Sequence, residues 1–369
     1  MTNALRWEPC VSHRGHDATA FLQQFFSQDS RRLLLMAGSG FDPRALAVTR
    51  LLAPIVKERM SGLFIRENRP SPSKDILTRA EENQKEMCKL VGRHEVAQID
   101  IFATDGAVIG GKEVVKIAQQ IKFDGITDVL VDASALSTGI IFPLVSFFLK
   151  RAKQLGPNIN LHLLVVDDPG TDKNIVSVGD DSATIPHGFK GGFGLNQSLD
   201  AAKLWMPQLV LDQHSTLRKI HSYVNPDYVC PILPFPSRNP RFADELIEHY
   251  EEELLSWGVD YRNIVYAAED DALDLYRTIL QIDAVQSRVF KEVGGSLTIV
   301  SPLGSKLLAI GALMAAIERD FPVVSVESLS YKTKFKTQKS DNPIDGDVVH
   351  LWLAGEAYLA ADQEKLTQT

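Results

Sequence analysis

The chain has 369 residues, 44% of them hydrophobic and 23% charged, with a formal net charge of −8 at pH 7. That length exceeds what a single core ordinarily supports and points to two domains, and the balance is that of a folded chain rather than a disordered one. The acidic charge excludes a general electrostatic attraction to DNA or RNA.

After a polar start, in which His13 and His16 read as disordered, with pairing to Asp17 as the alternative, a short helix is predicted over 21–26. The apolar run Leu33-Leu34-Leu35-Met36 then closes on Gly38-Ser39-Gly40. Continuous apolar runs closed by glycine mark strands buried on both faces, as in a parallel sheet. A helix over 45–60, a strand over 63–65, a charged helix over 74–91 and a strand over 99–102 follow. Next come a helix over 114–121, a strand over 129–131, an apolar helix over 140–153 and a strand over 161–166. The Gly-, Asp- and Ser-rich stretch 169–200 reads as a connector or flap. Alternation resumes with strands at 209–211, 229–233, 264–266 and 297–300, separated by helices at 216–223, 242–257 and 273–293. An Ala-rich helix over 306–319 and strands at 323–326 and 348–353 end the pattern. Strand–helix alternation of this kind predicts α/β architecture with right-handed doubly wound sheets. The expected division is a Rossmann-like unit over 1–168, the connector 169–200, and a second such unit over 201–369 that includes the C-terminal strands.

Three turns between a strand and a helix carry the candidate chemistry. In Gly38-Ser39-Gly40-Phe41-Asp42-Pro43-Arg44 the glycines let backbone N–H groups approach an anion, and Arg44 in the first turn pairs with phosphate or carboxylate. Asp42-Pro43 is equally an ordinary cap with proline at the first helical position. Pro236-Ser237-Arg238-Asn239-Pro240-Arg241 repeats the device at Asn239-Pro240. It sets Arg238 and Arg241 around one helix start, where cations oppose the dipole unless an anion binds. Ser301-Pro302-Leu303-Gly304-Ser305-Lys306 resembles a phosphate cradle without being a Walker A loop, and its counterpart in the first half runs from Asp132 through Ser134 to Thr138. Both stretches also read as plain Ser-rich turns. The pairing of these motifs between halves implies two units related by a pseudo-two-fold axis, with strand carboxyl edges sharing one cleft.

Glu269, after the 264–266 strand, is a candidate for a ribose hydroxyl or a metal, and Glu67 occupies the position of a ribose-binding acid. The remaining features are negative. Cys10, Cys88 and Cys230 lack C-x-x-C spacing, which predicts a reducing, cytoplasmic setting and no zinc site. The histidines show no ligand spacing, and no metal is expected. The start carries no signal-peptide pattern, and the most apolar segment, 139–149, is too short for a bilayer. A basic run, Tyr331-Lys332-Thr333-Lys334-Phe335-Lys336, reads as a solvated loop or edge strand.

Gly304-Ser305-Lys306, after a strand and opening an Ala-rich helix, resembles the Gly-Gly-Thr-Lys-type turn of CRISPR-associated Rossmann-fold sensor domains. Leu303 stands where that turn has its first glycine. The resemblance implies paired Rossmann units around a phosphate-rich nucleotide ligand, and a sensing component of a prokaryotic defence complex. Gly38 to Arg44 is similar to the G-x-G-x-D-x-R turn of some S-adenosylmethionine methyltransferases, which implies an enzyme instead. The expected function is therefore a binding or regulatory protein for an anionic, nucleotide-like ligand or a protein partner. A nucleotide-processing enzyme or methyltransferase is the alternative. The sequence names no cofactor.

Overall fold

The computed structural model describes residues 5–155, 159–191, 201–334 and 346–358. The strands are β1 (Val11–Arg14), β2 (Leu33–Gly38), β3 (Met60–Asn68), β4 (Arg93–Asp100), β5 (Asp128–Asp132), β6 (Asn160–Asp167), β7 (Ile175–Thr184), β8 (Ala202–Pro207), β9 (Tyr228–Val229), β10 (Ile232–Pro234), β11 (Val265–Ala267), β12 (Ser296–Ser301), β13 (Ser325–Thr333) and β14 (Asp347–Ala354). The helices are α1 (Gly15–Phe26), α2 (Ala47–Val56), α3 (Lys74–Leu90), α4 (Gly110–Gln119), α5 (Thr138–Leu155), the single turn α6 (Pro169–Asp172), α7 (His214–Val224), α8 (Phe242–His249), α9 (Glu251–Ser256), α10 (Ala272–Val289) and α11 (Lys306–Arg319). Two compact units result, one from residues 1–177 and 330–369 and one from residues 178–329.

The first unit is a seven-stranded sheet in the order β1-β14-β6-β5-β2-β3-β4. Strands β4, β3, β2, β5 and β6 are mutually parallel. Every residue of β2, β5 and β6 is buried, as unbroken apolar runs require when helices cover both faces. Leu33, Leu35 and Ala37 point into a core with Leu22 and Phe26 of α1, Leu52 and Val56 of α2, and Met87 of α3. On alternation, Leu34 and Met36 face the opposite layer, where α4 packs on α5.

Three expectations change here. The C-terminal strand belongs to the first unit, because β14 pairs antiparallel with β6 along Asp347–Ala354 and covers an edge that would otherwise stay open. His13 is also ordered: β1 pairs antiparallel with β14, with His13 opposite His350. The stretch expected to be a connector holds α6 and β7, and β7 pairs with β13. Residues 192–200 of it, and Phe335 and Lys336 of the basic run, lie outside the described residues.

In the second unit β12, β8 and β9 are parallel neighbours, as are β10 and β11. Parallel bridges Gln208↔Ile232 and Val300↔Val323 extend the order to Val323, β12, β8, β9/β10, β11. Taken by position in the chain, that is fifth, fourth, first, second, third, the same succession as β6, β5, β2, β3, β4. The two halves thus share one winding. Trp205, Leu217, Ile220, Leu233, Leu246, Tyr250 and Ile299 form the core. Helices α10 and α11 pack closely at Gly311, where a Cβ would stand 2.5 Å from the Ala272 carbonyl oxygen. The first strand lies earlier than predicted, at 202–207, and the long helix expected over 242–257 breaks at Tyr250. Among the described residues no helix is long and apolar enough to cross a membrane.

One polar feature crosses the first sheet. Asp128 on β5, His162 on β6 and His350 on β14 are fully buried and linked in series to half-buried His13 on β1. The contacts are His162 Nε2 to Asp128 Oδ1 at 3.3 Å, His162 Nδ1 to His350 Nε2 at 2.9 Å, and His350 Nδ1 to His13 Nδ1 at 3.1 Å. Burial opposes the charge of Asp128, but bonds from His162, Thr127 and Asn160 outweigh it and hold its pKa down. With Asp128 anionic, His162 Nε2 donates to it, His350 Nε2 donates to His162, and His13 Nδ1 donates to His350. Every donor therefore points toward the carboxylate. Burial lowers the pKa of His162, and burial with the neighbouring imidazoles lowers that of His350 well below its usual value. Arg31 and Glu356 near Asp128, and Asp17 near His13, complete the charged surroundings.

The unfolded chain protonates these histidines near pH 6.5 while the folded chain resists, so their stabilisation is present above that pH and is lost below it. Each proton taken up only on unfolding steepens the loss by about 1.4 kcal/mol per pH unit. Urea unfolding between pH 8 and 5 should show a decline beginning near pH 6.5. His350→Leu should weaken that decline and, by stranding His162 Nδ1, cost about 1–3 kcal/mol at pH 7.5.

Candidate functional site

The chain leaves β2 toward β3 on one side and leaves β5 toward β6 on the other. At such a reversal the loops diverge, and the carboxyl ends of the two strands border a crevice. Residues 39–46 and 133–137 form its walls. They approach closely: a Cβ on Gly38 would stand 2.8 Å from the Ala135 carbonyl oxygen, so glycine is required there.

Asp42 caps the 3-10 turn Pro43–Leu46 by accepting the Arg44 N–H at 2.9 Å. The Arg44 guanidinium folds back on the same carboxylate, Nε to Oδ1 at 3.0 Å and Nη2 to Oδ2 at 2.8 Å. Its Nη1 meets Asp172 Oδ1 at 2.8 Å, and the residue is 2% exposed. Burial opposes this charge, yet Asp42 and Asp172 more than offset it and raise the Arg44 pKa. The expectation of an anion-binding Arg44 is corrected accordingly: its donors are taken by two carboxylates that neutralise it. Asn83 of α3 donates to the Gly40 and Asp42 carbonyls at 2.8 and 3.1 Å, fixing the turn from behind. Arg66 Nη1 donates to the Ser39 carbonyl at 3.3 Å.

Asp132, the last residue of β5, faces the opposite problem. Its Oδ1 accepts the Ser134 N–H at 2.9 Å, while Oδ2 is buried without a partner. Burial, opposed by the bonds to Ser134, pushes its pKa up to about 6, with Asp42 adding repulsion and Arg44 relieving some of it. The hydroxyls of Ser39 and Ser137 are likewise shielded and unpartnered. Ser134 is spent on structure, its Oγ accepting the Val166 N–H at 2.9 Å. Glu67 Oε1 accepts the Ser137 N–H at 2.8 Å and Oε2 meets Arg69 at 2.8 Å, so this acid ties β3 to the β5–α5 turn. Arg69 lies over the Tyr331 ring at 5.2 Å, and Tyr331 packs on Phe41 at 5.3 Å with the rings tilted by 47°, giving the edge a half-buried aromatic flank. Sequence reasoning missed Asp172, although Asp168-Pro169 repeats the cap-plus-proline signal of Asp42-Pro43 and Asp168 does accept the Thr171 N–H. It also missed Arg66, Arg69 and the aromatic pair, which only strand order brings to this edge.

At the corresponding position of the second unit every such group is paired. Ser301 Oγ accepts from Trp205 Nε1 at 2.9 Å. Gln208 donates to the Leu308 carbonyl at 2.9 Å and accepts the Gly304 N–H at 2.8 Å. A Cβ on Gly304 would meet Gln208 Oε1 at 2.7 Å, so packing explains this glycine and its N–H is not open to a phosphate. Ser305 caps α11 by accepting the Leu308 N–H, and Lys306 opens the helix half-buried. The second motif gathers at the ends of β10 and β11. Glu269 accepts the Arg238 N–H at 2.8 Å, Asn239 donates to both Glu245 oxygens at 3.1 Å, and Arg241 holds the cap position of α8. Arg238, Asn239 and Arg241 are all exposed.

No family model and no curated protein matches the chain. Among solved structures, a deacetylase of teicoplanin biosynthesis is 15% identical, covering 42% of this chain and 76% of its own at a TM-score of 0.27. A protein assigned as a universal stress protein from Pseudomonas aeruginosa UCBPP-PA14 is 10% identical, with coverages of 83% and 95% and a TM-score of 0.23. A glycopeptide N-methyltransferase complexed with sinefungin is 12% identical, with coverages of 50% and 73% and a TM-score of 0.21.

The two carboxylate environments predict opposite mutational outcomes. Arg44→Met strands Asp42 and Asp172 and should cost about 3–5 kcal/mol. The raised pKa of Asp132 means that its ionisation destabilises the fold as pH climbs from the ordinary carboxylate range through about 6. Asp132→Asn should therefore stabilise the protein above pH 6, by about 1–3 kcal/mol, and leave it unchanged at pH 4. Chemical denaturation at the two pH values checks both.

Proposed function

We propose that the first unit binds a small, nucleotide-like polar ligand at the carboxyl edge between β2 and β5, and that this binding serves regulation. The observation that carries the reading is the unpartnered Oδ2 of Asp132, a buried carboxylate oxygen beside the unpartnered hydroxyls of Ser39 and Ser137. Buried polar groups are normally satisfied, and an exception at a sheet's reversal point is where a ligand supplies the missing bonds. Asp132 asks for a donor, such as a sugar hydroxyl or a ring amino group. The Tyr331–Phe41 pair with Arg69 offers a face for a flat ring. An anionic end of the ligand falls to Arg66, since Arg44 is already neutralised.

A regulatory role follows the resemblance to paired Rossmann sensor domains. It keeps the two-unit plan and leaves out the Gly304 phosphate cradle, whose N–H Gln208 occupies. Membership of a defence complex and a cytoplasmic location belong to the same proposal; the three thiols, none in a disulfide, fit a reducing compartment. An enzymatic reading is favoured by one observation, the Asp132 pKa of about 6, which suits a general acid–base near neutral pH. The methyltransferase reading has less support, because Glu67 is engaged by Ser137 and Arg69.

Native mass spectrometry of gently purified protein, with thermal melting against mono-, di- and cyclic nucleotides, tests the proposal. A nucleotide present at a hundred times its Kd should stabilise the wild type by about 2.7 kcal/mol. Asp132→Asn and Ser39→Ala should each weaken binding about tenfold, at the level of one lost hydrogen bond. Absence of any nucleotide effect, or equal affinity in both variants, overturns it. Turnover that is lost in Asp132→Asn would replace regulation by catalysis.

A further inference from the structure

Arg66, near the carboxyl end of β3, differs from the other arginines of the β2–β5 edge. Arg44 is matched by Asp42 and Asp172, and Arg69 by Glu67. Arg66 is half-buried, and its one hydrogen bond runs from Nη1 to the Ser39 carbonyl at 3.3 Å. A guanidinium offers five N–H donors, so most of this fork is left unused by the protein. Among the described residues no carboxylate lies within ion-pair distance of it. Burial lowers its pKa, and the attraction of Glu81 on α3 does not offset this.

Strand alternation sets what this cation faces. Phe64 of β3 and Leu130 of β5 both lie in the core shared with α1, α2 and α3. Two residues further along a strand the side chain returns to the same face, which puts Arg66 and Asp132 on that face together. Strand β2 runs between theirs, with Ala37 level with Asp132 and Gly38 level with Ile65. Ser39 continues β2 into the interval. Its N–H donates to the Ile65 carbonyl at 2.8 Å, its carbonyl receives Arg66, and its buried hydroxyl has no partner. Two strand spacings, roughly 10 Å, separate the strands of Arg66 and Asp132. A cation, a hydroxyl and a carboxylate oxygen, each unmet by the protein, thus lie in series across β3, β2 and β5.

The charge of the rest of the edge limits what can bind there. Arg44 stands against two carboxylates, so that set keeps a negative charge in excess, while Glu67 and Arg69 cancel. Asp42 already repels Asp132. One anionic group on Arg66 completes a pair. Every further one adds like charge to an acidic, partly desolvated edge, where repulsion is stronger than in water.

Building on the ligand site proposed above, we propose that Arg66 determines its specificity, selecting a nucleoside with a single phosphate over the bare nucleoside and over the di- and triphosphates. The phosphate takes the guanidinium fork in a two-point contact, and the sugar or ring donors reach Ser39 and Asp132 at the other end. Discrimination against the longer phosphates comes from the surrounding carboxylates rather than from a lost contact.

Calorimetric titration of the full chain in the presence of chelator tests the proposal. The probes are adenosine, guanosine, cytidine and uridine, with the 5′-mono-, di- and triphosphate of each. For a base that binds, the monophosphate should bind about ten- to a hundredfold tighter than its nucleoside, the gain of one charge-assisted pair. The triphosphate should bind at least about tenfold more weakly than the monophosphate. Arg66→Gln removes a half-buried charge that has no counter-ion, so its melting temperature should be unchanged or raised. In that variant the monophosphate should bind no tighter than the nucleoside, whereas Arg66→Lys, which keeps the charge and loses the fork, should retain part of the preference. A monophosphate no tighter than its nucleoside in the wild type, a triphosphate tighter than the monophosphate, or a preference that survives Arg66→Gln overturns the selection and leaves the ligand site standing. Failure of every nucleoside and every phosphate to bind removes the ligand site itself, and the selection with it.

Discussion

The central constraint on the first unit is that β2 and β5 are buried along their whole length. A strand covered on both faces satisfies its backbone through its neighbours and has no room for a polar side chain that lacks a partner. Polar chemistry is therefore pushed to the points where these strands end. The first polar side chains after Ala37 and Val131 are Ser39, Asp42, Asp132 and Ser134, all at one edge and all buried. Because the chain winds opposite ways from β2 and β5, that edge is also where the covering loops part.

Within the edge, charge is handled in two ways. Arg44 and its two carboxylates form a closed set in which the guanidinium fork matches Asp42 and is extended by Asp172. This arrangement is rigid and makes the turn a wall. Asp132 stays only half satisfied and carries a raised pKa in consequence. Ionising such a group costs the fold stability, which the closed Arg44 set does not. The second unit sharpens the contrast. With the same winding, it fills the equivalent place with Gln208, whose amide satisfies both Leu308 and Gly304, and with Ser301 bonded to Trp205. One unit has its reversal point stoppered by its own side chains, and the other leaves acceptors and hydroxyls unmet.

Much of this architecture was legible in the chain. Runs such as Leu33 to Met36 and Leu163 to Val166 announce buried parallel strands because nothing polar interrupts them. The strand–turn–helix junctions at Gly38, Asp132 and Ser301 follow from where those runs stop. Pairing between distant segments was not legible. An alternating strand such as β14 fits the edge of either unit by local pattern alone, and only its register against β6 decides. Strand β8 was misplaced because Lys203 and Pro207 cut its apolar run to Leu204–Met206, while the equally apolar Leu209 to Leu211 leads out of the sheet, with Leu211 44% exposed. The roles of the arginines were hidden for a related reason. Arg44 follows Asp42 by two residues, close enough to turn back on it, yet spacing says nothing of Asp172 arriving from beyond β6.

The histidines show the same limit most clearly. His13, His162 and His350 are far apart in the sequence and have no ligand spacing, yet β14 lies between β1 and β6, which sets His13 directly opposite His350 and His162 diagonally across from it. A row of rings in a buried sheet needs a terminus that fixes which nitrogen bears each hydrogen, and Asp128 provides it. In the second unit the pair His214 and His249 ends differently. Glu253 fixes the outer nitrogen of His214, and nothing equivalent orients His249 except a backbone N–H aimed at the same nitrogen that faces His214. The first row is a closed chain of donors and acceptors. The second is a shorter, part-exposed pair in which Glu253 leaves His214 Nε2 as an acceptor facing His249, so burial and the number of rings in series, rather than the mere presence of histidine, separate the two.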